Sequence, residues 1–102
     1  MTRTRKKRIC LRLPAQYVLE LRCLPTPMSR AVDQSLCDLV HAIQCGKLTM
    51  AERAMLQGQM AHTNDTISCN YRLNSSAIEY LQFNGYCVST CIKYALNKTL
   101  YT

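Results

Sequence analysis

The chain has 102 residues, the length of one compact domain or two very small units, and 48% of them are hydrophobic, enough for a core. Thirteen Lys and Arg against six Asp and Glu give a net charge of +7, a balance typical of nucleic-acid binders. No run approaches the roughly 18 apolar residues of a transmembrane helix, and no apolar h-region follows the basic start. We therefore expect no membrane span, no signal peptide and a cytoplasmic location.

Basic side chains are concentrated at the start of the chain. Five of the thirteen lie within the first eight residues: Arg3, Arg5, Lys6, Lys7 and Arg8. We interpret residues 1–7 as a flexible basic arm that adds salt-dependent affinity for phosphates. The arm residues that we expect to contact DNA phosphates are Arg3, Arg5, Lys6 and Lys7.

A strict alternation of polar and apolar residues begins at Arg8 and stops at Pro14. The apolar positions are Ile9, Leu11 and Leu13, and the positions between them are Arg8, Cys10 and Arg12. Successive side chains of a strand point to opposite faces, so the pattern predicts a short strand with one apolar face and one arginine-bearing face. An arginine face on a short strand favours an anionic partner.

Two helices separated by a tight break follow the predicted strand. Apolar residues recur at helical spacing after Pro14, at Tyr17, Val18, Leu21 and Leu24, until the sequence PTP ends the first helix. Ser29, preceded by the apolar Met28, has the character of an N-cap for a second helix that stops at Gly46. Residues 8–46 therefore form a predicted strand-helix-helix unit.

The same pattern recurs when the first half is shifted by 60 positions, without a gap. Identical residues then stand at the paired positions 12 and 72, 13 and 73, 21 and 81, 29 and 89, and 36 and 96. We call this displacement the repeat shift. Asn74 supplies an N-cap where the first copy has Pro14, and the break falls near Gly85. We predict a second strand-helix-helix unit over residues 67–102.

Residues 47–66 connect the two predicted units. Thr49 and Glu52 have the spacing of a capping box, so we expect a connecting helix that runs to about His62. A sticky methionine surface is the alternative interpretation of this segment, and a linker helix packed on the domain is the one we prefer.

Seven cysteines invite a disulfide or zinc interpretation. Two pairs with helical spacing, His41 with Cys45 and Cys87 with Cys91, could each ligate a metal from one helix face. The number is odd, however, and the sequence contains no CxxC pair. We therefore expect small core residues in a reducing compartment, and we predict no structural metal and no cofactor.

The segment RICLRLPAQYVLELRCLPTPMSRAVDQSLCDLV resembles the ribbon-helix-helix family of DNA-binding proteins, the fold of the MetJ and Arc repressors. Its strand, the proline after the strand and the MSR helix start fall where that family has them, and the second copy has weaker counterparts. The resemblance implies a mainly α fold with a short two-stranded antiparallel β-ribbon, built from tandem units as in TraY-type plasmid transfer proteins. It also implies that the ribbon enters the major groove of double-stranded DNA.

What the resemblance implies about site residues follows from the outward positions of the two strands. The base-reading residues would be Arg8, Cys10, Arg12, Ser68, Asn70 and Arg72. Backbone N–H groups at the starts of the second helices would meet flanking phosphates at Ser29, Arg30, Ser89 and Thr90. Because the two sets of base-reading residues differ, we expect an asymmetric target. The strands pair either within one chain, as a pseudo-dimer, or between chains, as a homodimer, and the sequence leaves both open.

The predicted function is that of a sequence-specific transcriptional regulator of a plasmid or other mobile element. The alternatives are a relaxosome accessory protein that binds a transfer origin in conjugation, and an antitoxin with an N-terminal DNA-binding unit. The chain has no Gly-rich phosphate loop, only two histidines and no paired carboxylates with suitable spacing. We therefore predict that it is not an enzyme and has no catalytic residues.

Overall fold

A computed structural model describes residues 5–58 and 65–101. The elements in chain order are β1 (Lys6–Pro14), α1 (Ala15–Arg22), α2 (Met28–Gln44), α3 (Met50–Gln57), β2 (Thr66–Asn74), α4 (Ser75–Phe83) and α5 (Val88–Tyr101). The fold is mainly helical, with a two-stranded antiparallel sheet and a β-α-α unit that occurs twice. The predicted fold class is therefore confirmed.

The two units follow the repeat shift closely. It carries Lys6–Pro14 onto Thr66–Asn74, and the first residues of α1 and α2 onto those of α4 and α5. The two strands pair with each other along their whole length, with Lys6 opposite Asn74 at one end and Pro14 opposite Thr66 at the other. Both strands of the ribbon thus come from the same chain.

Helix ends lie close to the predicted positions. The Asn74 side chain accepts a hydrogen bond from the Ala77 N–H (3.2 Å), which confirms it as the N-cap of α4. Gly46 ends α2 with a φ of 69°, a left-handed conformation that glycine adopts without steric cost. The Gly46 and Lys47 N–H groups bond back to the carbonyls of Ile43 and Ala42 (3.1 and 3.0 Å), which closes the last turn. Helix α2 begins one residue before the predicted cap, Ser29.

The core lies between the inner face of the ribbon and the two pairs of helices. Leu11, Leu13, Tyr71 and Leu73 are the ribbon side chains buried there. Equivalent residues of the two units then fill the helical layer: Val18 and Ile78, Leu21 and Leu81, Val32 and Ile92, and Leu36 and Leu96. Each fully buried aliphatic side chain contributes about 1.5–3 kcal/mol. Because neither unit can cover its apolar face alone, we infer that the two halves fold together.

Helix α3 packs on the second unit and lies outside the repeat. The predicted capping box is confirmed: the Glu52 N–H donates to Thr49 Oγ1, and the Thr49 N–H donates to Glu52 Oε1 (both 3.1 Å). Leu56 is fully buried, and its carbonyl accepts the Cys87 N–H (2.9 Å). The continuation of this helix toward His62 lies outside the described residues.

Glu52 also ties α3 to α5, and this contact predicts a pH-dependent stability. The Tyr94 hydroxyl donates to Glu52 Oε2, and this bond, followed by that from the Thr49 backbone, lowers the pKa of Glu52 from 4.5 to about 2. A carboxyl with a lowered folded-state pKa stabilises the fold above its unfolded pKa, and this stabilisation is lost as pH falls. We expect Glu52→Gln to be less stable than wild type at pH 7, with the difference shrinking between about pH 4.5 and pH 2.

Urea unfolding at a series of pH values measures this difference. Glu79→Gln is the matched control, because Glu79 is exposed on α4 and its substitution should change stability by less than about 0.5 kcal/mol. A stability difference between wild type and Glu52→Gln that stays constant down to pH 2 would show that the Glu52 carboxylate is not the source of the pH dependence.

The cysteines are less buried than expected. Cys91 is fully buried and confirms the expectation, whereas Cys23 and Cys45 are exposed, so the core prediction is wrong for these two. Cys10 is also exposed, as the alternation of the first strand predicted. Within the described ranges, no three His, Cys, Asp or Glu side chains gather as a metal site would require. Across residues 5–58 and 65–101, no helix is both long enough and apolar enough to cross a bilayer.

Candidate nucleic-acid interface

The structure brings all six predicted base-reading residues onto one face of the ribbon. Arg8 stands opposite Arg72, Cys10 opposite Asn70, and Arg12 opposite Ser68. All six are exposed, while the alternate positions Leu11, Leu13, Tyr71 and Leu73 are buried. The outer face is therefore a continuous polar strip of three cross-strand pairs. We call these six residues the ribbon face.

The hydrogen-bond pattern shows how closely each pair is spaced. The Ser75 N–H donates to the Arg5 carbonyl and the Ala15 N–H to the Asp65 carbonyl (both 2.9 Å), so ladder bonds join odd-numbered residues at both ends of the ribbon. The even-numbered pairs of the ribbon face are thus the non-hydrogen-bonded ones, with Cα atoms about 4.5 Å apart. Like charges directly opposite each other destabilise a sheet. An anion bound between the facing side chains of Arg8 and Arg72 would reduce the electrostatic repulsion between them.

The two strands of the ribbon are related by a local two-fold symmetry whose axis passes through the middle of the ribbon face. Asn70 is both the ladder partner of Cys10 and its equivalent under the repeat shift. A two-fold pseudo-axis between these two side chains therefore relates the strands. Two-fold symmetry of this kind matches the two-fold relation between the half-sites of DNA.

Helix α2 fixes the outer edge of β2 through contacts that the sequence analysis missed. Asp33 Oδ1 accepts the Asn74 N–H (2.7 Å), and Asp33 Oδ2 accepts Lys6 Nζ (2.6 Å). Ser29 Oγ accepts the Arg72 N–H (3.5 Å). These bonds satisfy edge donors that would otherwise need water. Ser29 and Asp33 are four residues apart on one helix face, and that spacing is the only sequence signal for this role.

Among the described residues, the second unit lacks both of these contacts with the strand backbone, and the sequence explains one of the two absences. At the positions equivalent to Asp33, Asn74 and Lys6 stand Lys93, Pro14 and Thr66. Proline has no N–H to donate, so an acceptor at position 93 is not needed. The other absence has no explanation in the sequence: Ser89 and Arg12 are the same residue types as Ser29 and Arg72, yet within the part of the chain that the structure describes they do not form the equivalent bond.

The basic arm and the ribbon overlap. Lys6 and Lys7 belong to β1, which begins two residues before the predicted start at Arg8, and Lys6 is held by its ion pair with Asp33. Arg5 and Lys7 are exposed beside this end of the ribbon. Arg3 lies outside the described residues.

The two predicted phosphate-binding helix starts differ. Ser29 and the exposed Arg30 lie in the first turn of α2, whose N-cap residue, Pro27, makes no side-chain capping bond. In α5, Ser89 is half-buried and Thr90 is 1% exposed, with its hydroxyl donating to the Gly58 carbonyl (2.7 Å). The Thr90 side chain is therefore covered by the end of α3, and a phosphate contact there would depend on the backbone alone.

Comparison with known proteins finds no protein-family model, no curated protein and no solved structure that matches this chain. The structure alone provides the evidence for the strand-helix-helix repeat and for the pairing of its two strands.

Proposed function

We propose that the protein is a sequence-specific DNA-binding regulator of the ribbon-helix-helix type, which inserts its two-stranded ribbon into the major groove. The observation that carries this proposal is the ribbon face, on which three arginines and one asparagine are exposed together. A two-stranded ribbon fits the major groove. Arginine pairs with two acceptors of guanine and asparagine with adenine, each pair contributing about 1–3 kcal/mol of discrimination.

Charge on the rest of the chain supports the same partner. We expect two exposed cations near the ribbon, Arg5 and Arg30, to approach the phosphates that flank the groove. Phosphate contacts position a protein on the duplex, whereas contacts with base edges select the sequence. In this proposal the ribbon face supplies the contacts with base edges, and the cations around it supply the contacts with phosphates.

The second unit bears on the antitoxin alternative. Antitoxin tails remain unfolded until they bind a toxin. Here the second half contributes β2, α4 and α5, together with buried residues such as Ile78 and Leu96, to the common core. This arrangement favours a DNA-binding regulator over an antitoxin. A relaxosome accessory role uses the same DNA-binding chemistry, and footprinting at a promoter or at a nick region would separate the two.

Selection from a random pool of DNA duplexes, followed by sequencing, tests the proposal. We expect one enriched motif that contains guanines, bound at least about 1,000-fold more tightly than random duplex. Two phosphate contacts, from Arg5 and Arg30, would give log K a slope of about −1.8 against log salt concentration, since each contact contributes about −0.9. Binding without sequence preference, or no binding even at low salt, would refute the proposed function.

A further inference from the structure

The two sides of the pseudo-axis carry different numbers of arginines on the ribbon face. On one side of the Cys10 and Asn70 pair stand two arginines, Arg8 and Arg72, and on the other side stand Arg12 and Ser68. Arg12 and Arg72 are equivalent under the repeat shift, so each side has one arginine at the same place. Arg8 has Ser68 as its equivalent and adds a second arginine on one side only. We call the two sides the Arg8 end and the Arg12 end.

Further cations lie at the Arg8 end. Arg5 and Lys7 precede Arg8 in the chain and are exposed, with Lys7 opposite Leu73 at a position of the inner face of the ribbon. The start of α2 is held at the same end by the hydrogen bond from the Arg72 N–H to Ser29, and it presents the exposed Arg30. Because Pro27 precedes the helix and has no side-chain acceptor, it leaves the first-turn N–H groups of α2 without a cap of its own. The Arg8 end therefore combines two base-reading arginines with several groups that favour phosphate.

The equivalent groups of the second unit are less able to bind DNA. Thr90 stands where the first unit has Arg30, and it is buried against Gly58. Lys93 is buried as well, at 6% exposure. The residue just before α5 is also held by α3, because the Cys87 N–H donates to the Leu56 carbonyl (2.9 Å).

We propose that the protein binds an asymmetric DNA site in one fixed orientation, with a strong half-site under the Arg8 end and a weak half-site under the Arg12 end. This inference rests on the DNA-binding function proposed above. The target has matched guanines, read by Arg12 and Arg72, on the two sides of the pseudo-axis. A further guanine, read by Arg8, lies in the strong half-site alone, and an adenine near the centre meets Asn70. The protein therefore binds this asymmetric target in one orientation only.

Exchanging two pairs of side chains should reverse that orientation. The variant that combines Arg8→Ser with Ser68→Arg and Cys10→Asn with Asn70→Cys has the composition and charge of wild type, but its second arginine lies at the Arg12 end and its asparagine lies on β1. We expect it to bind the selected wild-type motif with the chain turned around. Arg8→Ser alone should lose about 5- to 150-fold in affinity, the equivalent of one guanine contact. That variant should no longer prefer the one-sided guanine.

Orientation can be read by photo-crosslinking. Arg5, which lies at the Arg8 end, is replaced by p-benzoylphenylalanine in wild type and in the exchange variant, and the crosslinked nucleotides are mapped on the selected duplex. In the wild-type background the crosslink should fall on the flank beside the extra guanine, and in the exchange variant on the opposite flank.

The outcomes separate this inference from the proposed function. A specific but palindromic motif, or equal crosslinking to both flanks, would overturn the fixed orientation and leave sequence-specific binding intact. An unchanged crosslink position in the exchange variant would also overturn it. Absence of any enriched motif would refute the proposed function, and the orientation with it.

Discussion

Replacing Arg12 and Arg72 together with alanine should remove sequence-specific DNA binding and leave the fold intact. The two side chains are equivalent under the repeat shift and lie on opposite sides of the pseudo-axis. If each makes one paired contact with guanine, the double variant loses about 2–6 kcal/mol of discrimination. That loss corresponds to about a 30-fold to 20,000-fold weaker affinity for the selected site. Competition binding against random duplex measures it.

Folding should persist in this variant for a physical reason. Both arginines are exposed, and exposed substitutions usually change stability by less than about 0.5 kcal/mol. Removing Arg72 also relieves the like-charge pairing with Arg8 across the strands. A circular dichroism spectrum and a urea midpoint close to those of wild type would establish that the variant is folded.

A matched control removes the same charge elsewhere. Arg22 and Lys47 are exposed, and neither belongs to the ribbon. Their double alanine variant should weaken binding to all duplexes modestly and equally, because it loses net charge but no base contact. Specific binding that survives in Arg12→Ala with Arg72→Ala would refute the proposed role of the ribbon face.

Much of the ribbon was predictable from the sequence. Strict alternation from Arg8 to Leu13 assigns each residue to a face, because the side-chain period of a strand is two. A gapless repeat then predicts a matching second strand, and the observed register places equivalent residues about one axis. The same local patterns predicted the Asn74 cap, the Gly46 stop and the Thr49 capping box, since each depends on neighbours in the chain.

What the sequence analysis missed depends on contacts between distant parts of the chain. β1 begins at Lys6, opposite Asn74, and Asp33 on α2 holds both of these residues at the ribbon edge. Thr90 is buried because α3, which lies outside the repeat, folds back over the start of α5. The exposed positions of Cys23 and Cys45 were missed for another reason: the core expectation came from the usual burial of cysteine and ignored the position of each thiol.

Truncating a buried leucine of the shared core should strongly lower the stability of the protein. Leu36 and Leu96 are equivalent in the two units, and both are fully buried. Truncating a buried leucine to alanine costs about 2–5 kcal/mol, against a total stability of about 5–15 kcal/mol for a domain of this size. We expect Leu36→Ala or Leu96→Ala to lower the urea midpoint strongly, and the double variant to be largely unfolded. Leu19→Ala, at a side chain that is 56% exposed, is the matched control and should stay within about 0.5 kcal/mol of wild type.

Leu96→Ala also tests whether the two units are one cooperative structure. The strand partner of β1 is β2, so the loss of the second unit removes both the ladder and the cover of the first. Amide signals of β1 and β2, followed by NMR in urea, should disappear at the same concentration. With both strands in one chain, the unfolding midpoint should not depend on protein concentration, whereas pairing between chains would raise it as concentration increases. A first unit that stays folded in Leu96→Ala would refute the shared core, and a concentration-dependent midpoint would refute pairing within the chain.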